Sequence, residues 1–194
     1  MTADVRRLAI LFSGEGSTLE NLVEATRDGR LPNYQVVQAI SSRAGVGGIA
    51  RCERLDVPCD VVAKKDYPDL QDHTRAVFDK IDKTKVDMIC LAGWMSRLVL
   101  DDFWLQNRVL NIHPSLLPSF GGRGMYGRHV HEAVIARGCR VTGCTVHYVN
   151  NEIDGGPIVA QRCIPVRTDD PAELEAQVQY IERELFPSVL AELV

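Results

Sequence analysis

Short apolar runs alternate with helix-like segments over the first two-thirds of the chain, and this alternation limits the possible folds more than any other feature. The apolar runs are RRLAILFSG, YQVVQAISSR, CDVVA, VDMICLAG and RVLNIH. Helix-like segments such as STLENLVEATRDG and DLQDHTRAVFDKIDKTK separate them. Strands that alternate with helices favour a parallel, doubly wound sheet. VDMICLAG is apolar almost throughout, which is typical of a strand covered on both faces.

The last third of the chain follows a different pattern. VTGCTVHYV and GPIVAQRCIPV are joined by NNEIDG, which predicts an antiparallel hairpin. A long helix should follow, with Asp170 as its N-cap and Pro171 at its first position. The predicted fold class is therefore α/β: a single Rossmann-like domain over residues 1–194, with a mostly parallel sheet, helices on both faces, and an added C-terminal hairpin and long helix.

Composition and charge narrow the class of protein. Of the 194 residues, 45% are hydrophobic and 25% are charged, and the net charge is −4. We therefore expect no nucleic-acid partner, because non-specific binding usually requires a basic face. Residues 1–7 lack the pattern of a signal peptide, and no apolar run could span a bilayer. Six scattered cysteines without a C-x-x-C pair predict reduced thiols, no metal site and a cytoplasmic protein.

The segment FSGEGSTLENL, which joins the first strand to the first helix, favours a phosphate site. Two glycines let backbone N–H groups approach an anion, and Ser17 and Thr18 lie at the positive end of the helix. A simple turn with an N-cap is the alternative. Leu19 stands where a dinucleotide fingerprint has its third glycine. An NADP-dependent reductase nevertheless stays possible, because Ser42-Arg43 at the end of the second strand could bind a 2′-phosphate.

The segment NIHPSLLP indicates a reactive site at a strand end. Asn111 and His113 alternate along the strand and should share one face, and Pro114 should end regular pairing. In open α/β sheets, ligands bind at this carboxyl edge. Asp154, in the hairpin turn, would alone be an ordinary turn aspartate. Acyl transfer without a covalent nucleophile needs three parts, and these residues supply them. The Asn can hold an oxyanion, the His can donate a proton, and the Asp favours the charged His.

The segments SGEGSTL, LAGWM, NIHPSLLP and DGGPI resemble, in order and spacing, the glycinamide ribonucleotide formyltransferases, folate-dependent enzymes of purine synthesis. The resemblance covers almost the entire chain. It implies transfer of a formyl group from the co-substrate 10-formyltetrahydrofolate to the amine of glycinamide ribonucleotide. It also implies that the reaction needs no metal, and that the protein is a monomer or homodimer that acts on small molecules. The alternatives are a formyltetrahydrofolate hydrolase-like or other formyltransferase activity, the NADP-dependent reductase, and a catalytically silent nucleotide- or folate-binding protein.

The resemblance also implies roles for individual residues. Ser96 occupies a place where many relatives have Arg, and no Arg stands near Leu70, so the folate-tail contacts differ from those of many relatives. The residues themselves give three further expectations. The glycine-rich residues 118–128 are predicted to form a mobile loop. His73 is predicted to lie on the surface, and His147 is predicted to pack near the site. The implied sites are catalytic Asn111, His113 and Asp154; ribonucleotide-binding Gly16, Ser17, Thr18, Leu19, Glu20 and Glu182; and formyl-folate-binding Met95, Ser96, Arg97, Leu98 and Asn111.

Overall fold

The computed structural model of the chain describes residues 5–193, so the expectation for the N-terminus lies partly outside the described residues. A short 3-10 turn lies at Lys64–Asp66. The strands and α-helices are β1 (Arg6–Phe12), α1 (Ser17–Arg27), β2 (Tyr34–Ser41), α2 (Gly47–Arg54), β3 (Cys59–Val61), α3 (Leu70–Asp79), β4 (Met88–Leu91), β5 (Val109–His113), α4 (Arg128–Ala136), β6 (Val141–Tyr148), β7 (Ile158–Pro165) and α5 (Pro171–Glu192).

The strands form one sheet in the order β3-β2-β1-β4-β5-β6-β7. β1 pairs in parallel with both β2 and β4, and β2 pairs in parallel with β3. β6 and β7 form the predicted antiparallel hairpin. The α/β, mostly parallel, Rossmann-like fold with an added hairpin and long helix is therefore confirmed. Among the described residues, no helix is long and apolar enough to cross a membrane.

The chain divides into two compact units, one reaching to Leu110 and the other covering Asn111–Leu193. In the first unit, β1 is fully buried from Leu8 to Phe12, and α1 contributes its own buried apolar residues. In the second unit, Val130 of α4 and Leu174 of α5 belong to one buried cluster. The single domain expected over residues 1–194 stays a prediction.

Two helices begin in different ways. Asp170 caps α5 by accepting a hydrogen bond from the Ala172 N–H, and Pro171 occupies the first position, as predicted. α1 instead follows Gly16, which has φ 74°. This left-handed conformation favours glycine because it has no Cβ. The glycine before α1 is therefore required by the local backbone.

The surface position predicted for His73 is wrong. His73 lies with Thr74 and Val77 on the buried stripe of α3 and has no exposed surface. Its Nε2 lies 3.1 Å from the Val62 carbonyl oxygen, and its ring stacks on Trp94 at a centroid distance of 5.9 Å. Burial lowers the pKa of His73, which favours the neutral ring. The hydrogen bond at Nε2 compensates for part of the cost of burying the ring, and helical spacing alone does not reveal this contact.

We expect Gly143→Ala to lower the free energy of unfolding. Gly143 lies opposite Cys163 in the β6–β7 pair, and an added Cβ would lie 2.0 Å from the Arg162 backbone oxygen. The strands would have to shift, and overpacking of this kind typically costs about 1–3 kcal/mol. Urea unfolding measures the change. Val141→Thr, at an exposed position of the same strand, should stay within about 0.5 kcal/mol of wild type, and equal stability of the two variants would contradict the prediction.

Candidate functional site

The three predicted catalytic residues and His147 converge in the second unit. Asn111 Nδ2 lies 3.1 Å from His147 Nε2, and His113 Nδ1 lies 3.7 Å from Asp154 Oδ1. His147 Nε2 lies 3.8 Å from the same Asp154 oxygen. Asn111 and His113 therefore point to one side of β5, as strand alternation predicted. The structure places two imidazoles around a single carboxylate.

The backbone of the glycine-rich loop holds Asp154 in place. Asp154 Oδ2 accepts a 2.8 Å hydrogen bond from the Gly122 N–H. Asp154 itself has φ 53°, a left-handed conformation that is uncommon outside glycine but is adopted by Asp more often than by most residues. The turn and the hydrogen bond together direct the other carboxylate oxygen towards the two imidazoles.

The hydrogen bonds of His147 define its protonation state. Its Nδ1–H donates to the Tyr148 carbonyl oxygen at 2.9 Å, so Nε2 carries the lone pair and accepts from the Asn111 amide. Burial lowers the pKa of His147, which agrees with a neutral ring. His147 thus orients Asn111, whose second N–H is left for another acceptor.

His113 is held from the other side by the same glycine-rich loop. Its Nε2–H donates to the Phe120 carbonyl oxygen at 2.8 Å. The 3.7 Å separation from Asp154 is too long for a hydrogen bond, but it is short enough for a charge interaction. A second proton on His113 would occupy Nδ1, opposite the carboxylate. The arrangement offers groups that could stabilise an oxyanion and move a proton, as a group transfer would require.

His131 is a further buried imidazole that interacts electrostatically with His113. It lies in the first turn of α4, and its Nδ1 has no hydrogen-bond partner among the described residues. Burial lowers the pKa of His131 to about 4, and the neighbouring His113 adds to the effect. His131 is therefore neutral near pH 7.

Glu182 of α5 is half-buried rather than fully solvated. Burial raises its pKa to about 8, and the Glu175 carboxylate adds to the shift. A charged residue on a helix face would be expected in solvent, so only the family resemblance indicated a special role. The structure places Glu182 close enough to Cys144 of β6 to interact with it electrostatically.

In the first unit, the loop between β1 and α1 packs closely against α2. A Cβ on Gly16 would lie 2.8 Å from the Gly48 Cα, and the Gly48 N–H donates to the Gly14 oxygen at 3.1 Å. The first N–H groups of α1 have no partner within the helix. These groups, which belong to Ser17, Thr18 and Leu19, lie at the positive end of α1, as an anion site requires.

Glu20, in the first turn of α1, forms ion pairs with Arg51 and Arg54 of α2. The hydrogen bond from Arg54 is the main cause of the lowered pKa of Glu20. The carboxylate therefore already has two cationic partners. Its predicted contact with a ribonucleotide stays a prediction.

The predicted folate segment follows β4 without regular secondary structure. Met95 is 40% exposed, whereas Leu98 is buried. The Met95 N–H donates to Ser13 Oγ at 2.8 Å, and Ser13 Oγ lies 2.6 Å from Ser42 Oγ. Ser42 is buried, so its hydroxyl is used inside the protein rather than presented to a 2′-phosphate.

Sequence reasoning missed the backbone groups of Phe120 and Gly122. No side-chain pattern marks them, although the density of glycines in residues 118–128 indicates where backbone groups can approach other residues.

Among residues 5–193, no cluster of three or more His, Cys, Asp or Glu side chains could hold a metal ion.

Comparison with known proteins identifies the family. A formyl transferase family profile matches residues 6–190. Glycinamide ribonucleotide transformylase 1 of Symbiobacterium toebii has a TM-score of 0.88 and 33% identity, covering 98% of this chain and 88% of that one. Phosphoribosylglycinamide formyltransferase of Brucella melitensis has a TM-score of 0.83 and 37% identity, covering 97% and 95%. The chain belongs to the formyl transferase family, as its motifs predicted.

A curated relative is much longer than this chain. The trifunctional purine biosynthetic protein adenosine-3 of Homo sapiens is 38% identical over 190 residues, which cover 95% of this chain but 18% of that protein. The chain therefore spans less than a fifth of that relative's length.

We expect the free energy of unfolding to fall between pH 6.5 and about 4, and to fall less in His131→Gln. In the unfolded chain the His131 ring binds a proton below about pH 6.5, whereas in the native protein it does so only near pH 4. The contribution of the buried neutral ring to the free energy of unfolding is therefore complete above pH 6.5 and is lost as the pH falls to about 4. The difference is on the order of 3 kcal/mol.

Urea unfolding across this pH range measures the effect. His129→Gln is the matched control, because His129 is exposed in the first turn of the same helix. It should keep the wild-type pH dependence. An unchanged pH dependence in His131→Gln would show that the buried ring is not responsible.

Proposed function

We propose that the protein transfers the formyl group of 10-formyltetrahydrofolate to the amine of glycinamide ribonucleotide. The observation that carries this proposal is the convergence of Asn111, His113 and Asp154 in the second unit. Formyl transfer requires stabilisation of a developing oxyanion and movement of a proton, and this cluster offers groups for both. Family membership and the names of the solved relatives support the same substrates.

The reaction forms a bond between the acceptor amine and the formyl carbon, and it breaks the bond from that carbon to the folate nitrogen. The second N–H of Asn111 and the protonated ring of His113 stabilise the negative charge that develops on the formyl oxygen. Asp154 stabilises the charged ring and accepts the proton that leaves the amine. That proton ends on the released folate nitrogen.

Binding of the two substrates is assigned to separate groups. The N–H groups and hydroxyls at the start of α1 bind the phosphate, and Glu182 binds the ribose hydroxyls. The segment after β4 lines the folate site. Direct transfer requires both substrates together, because orientation supplies much of the rate enhancement. In this proposal the phosphate ligands are Gly16, Ser17 and Thr18, with Leu19 and Glu20 beside them, and the folate ligands are Met95, Ser96, Arg97 and Leu98.

The proposed setting is the cytoplasm, where the protein acts on small molecules as a monomer or homodimer. The free state of all six cysteines agrees with a reducing compartment.

A formyl-transfer assay with glycinamide ribonucleotide and a 10-formyl-folate tests the function directly. Transfer that depends on the ribonucleotide supports the proposal. Release of formate without the ribonucleotide would instead indicate the hydrolase-like alternative. A fluorescence titration that showed micromolar binding of NADPH would favour the reductase alternative.

We expect Asp154→Asn to keep the fold and most ligand binding but to lose the chemical step. The substitution is nearly isosteric and keeps an acceptor for the Gly122 N–H, but it removes the negative charge beside His113. Loss of general acid–base catalysis typically reduces kcat by ~10²–10⁴-fold, so a loss of at least ~10²-fold is expected. Steady-state kinetics with both substrates measures this change.

Glu152→Gln is the matched control, because it removes a carboxylate at an exposed position of the same turn. It should retain wild-type kcat. His113→Ala should match Asp154→Asn, and the double variant should be hardly worse, because the two residues act together. Retention of more than about a tenth of kcat in Asp154→Asn would remove Asp154 from the mechanism.

We expect Gly16→Val to weaken ribonucleotide binding far more than folate binding. Gly16 has a positive φ, and a branched side chain would meet Gly48 and displace the loop N–H groups. Calorimetric titration with each ligand measures the difference. Gly29→Ala is the control, because Gly29 also has a positive φ but has open space around it. Equal weakening for both ligands in a folded Gly16→Val protein would contradict the phosphate assignment.

A further inference from the structure

The hydroxyl of Ser13 joins two segments to which the proposed function assigns different substrates. Ser13 is the residue directly after β1, and residues 14–16, which lead to α1 and are called the phosphate loop after their proposed role, follow it. Its side chain is buried, and its Oγ accepts a 2.8 Å hydrogen bond from the Met95 N–H. The Ser13 backbone N–H also donates to the Gly93 oxygen at 3.1 Å. One residue therefore contacts the turn after β4 through both its backbone and its side chain.

Ser42 is a second partner of this hydroxyl. Ser42 Oγ lies 2.6 Å from Ser13 Oγ, and the Ser42 N–H donates to the Phe12 oxygen at 3.0 Å. The two hydroxyls are buried at the ends of the neighbouring parallel strands β1 and β2. Ser13 Oγ therefore has two partners, the Ser42 hydroxyl and the Met95 N–H, and only the second belongs to the folate segment.

Met95 needs this bond because its segment has left the sheet. β4 ends at Leu91, and residues 92–98 lie in neither a helix nor a strand. The Met95 N–H therefore cannot obtain a partner from a strand ladder, and it bonds to a side chain instead. Gly93, with φ 72°, turns the chain towards Ser13.

We propose that Ser13 is a positioning residue that holds residues 93–98 in register with the phosphate loop, and so aligns the folate donor with the ribonucleotide. The inference rests on the proposed function, because that function supplies the two ligands. Ser13 touches neither ligand in this proposal. It acts through the Met95 backbone, and loss of its hydroxyl displaces the folate segment while the catalytic residues of the second unit stay intact.

Ser13→Ala tests the proposal against Ser42→Ala. Both variants lose one buried hydroxyl of the same pair, but only Ser13→Ala loses the acceptor for the Met95 N–H. Misplacement of a bound reactant by about 1 Å can cost ~10²-fold, so we expect Ser13→Ala to raise the KM for the formyl-folate or lower kcat by ~10-fold or more. Ser42→Ala should stay within about threefold of wild type, because it keeps the Ser13–Met95 bond. Ser13→Cys, which fills the space with a weak acceptor, should resemble Ser13→Ala.

Amide hydrogen exchange at Met95 gives a readout that does not depend on activity. We expect protection of this amide in wild type and in Ser42→Ala, and faster exchange in Ser13→Ala. Unchanged exchange in Ser13→Ala would overturn the proposal, and so would equal kinetic losses in the two alanine variants. If the wild-type protein transfers no formyl group, the proposed function fails, whereas the exchange measurement still tests whether Ser13 positions the segment.

Discussion

The hydrogen bond from the Gly122 N–H to Asp154 is the contact on which the candidate active site depends. It joins the glycine-rich loop to the hairpin turn, and it holds a carboxylate whose own backbone is in a left-handed conformation. The same loop accepts a hydrogen bond from His113 through the Phe120 oxygen. Any movement of this loop would therefore disturb both residues. The loop is therefore part of the arrangement of the candidate site.

Burial separates the roles of the imidazoles in the second unit. The lowered pKa values of His131 and His147 keep both rings neutral near pH 7. His147 can then accept from Asn111, which a charged ring could not do. His113 differs because its Nδ1 faces Asp154 without another partner on that nitrogen. Similar side chains thus have different surroundings within one small cluster, and only His113 has a ring nitrogen that faces the carboxylate alone.

The sequence was sufficient to predict elements with a strong local pattern. The alternation of apolar runs and helices indicated the parallel sheet, and strand alternation placed Asn111 and His113 on one face. Contacts made by backbone groups were not predictable, because the Gly122 N–H and Phe120 oxygen leave no side-chain signal. The buried position of His73 was missed for a related reason: His73 looks like a surface residue until its hydrogen-bond partner Val62, on another element, is known.

The raised pKa of Glu182 would couple proton exchange with solvent to the binding of any ligand at this side chain. With its pKa raised to about 8, the side chain is largely a neutral carboxylic acid at pH 7. A ligand that requires the carboxylate must first displace that proton, so its affinity rises with pH up to about 8. The heat of such a binding reaction then changes with the ionisation enthalpy of the buffer. A ligand that accepts a hydrogen bond from the neutral acid would leave the proton in place, and its heat of binding would be the same in every buffer.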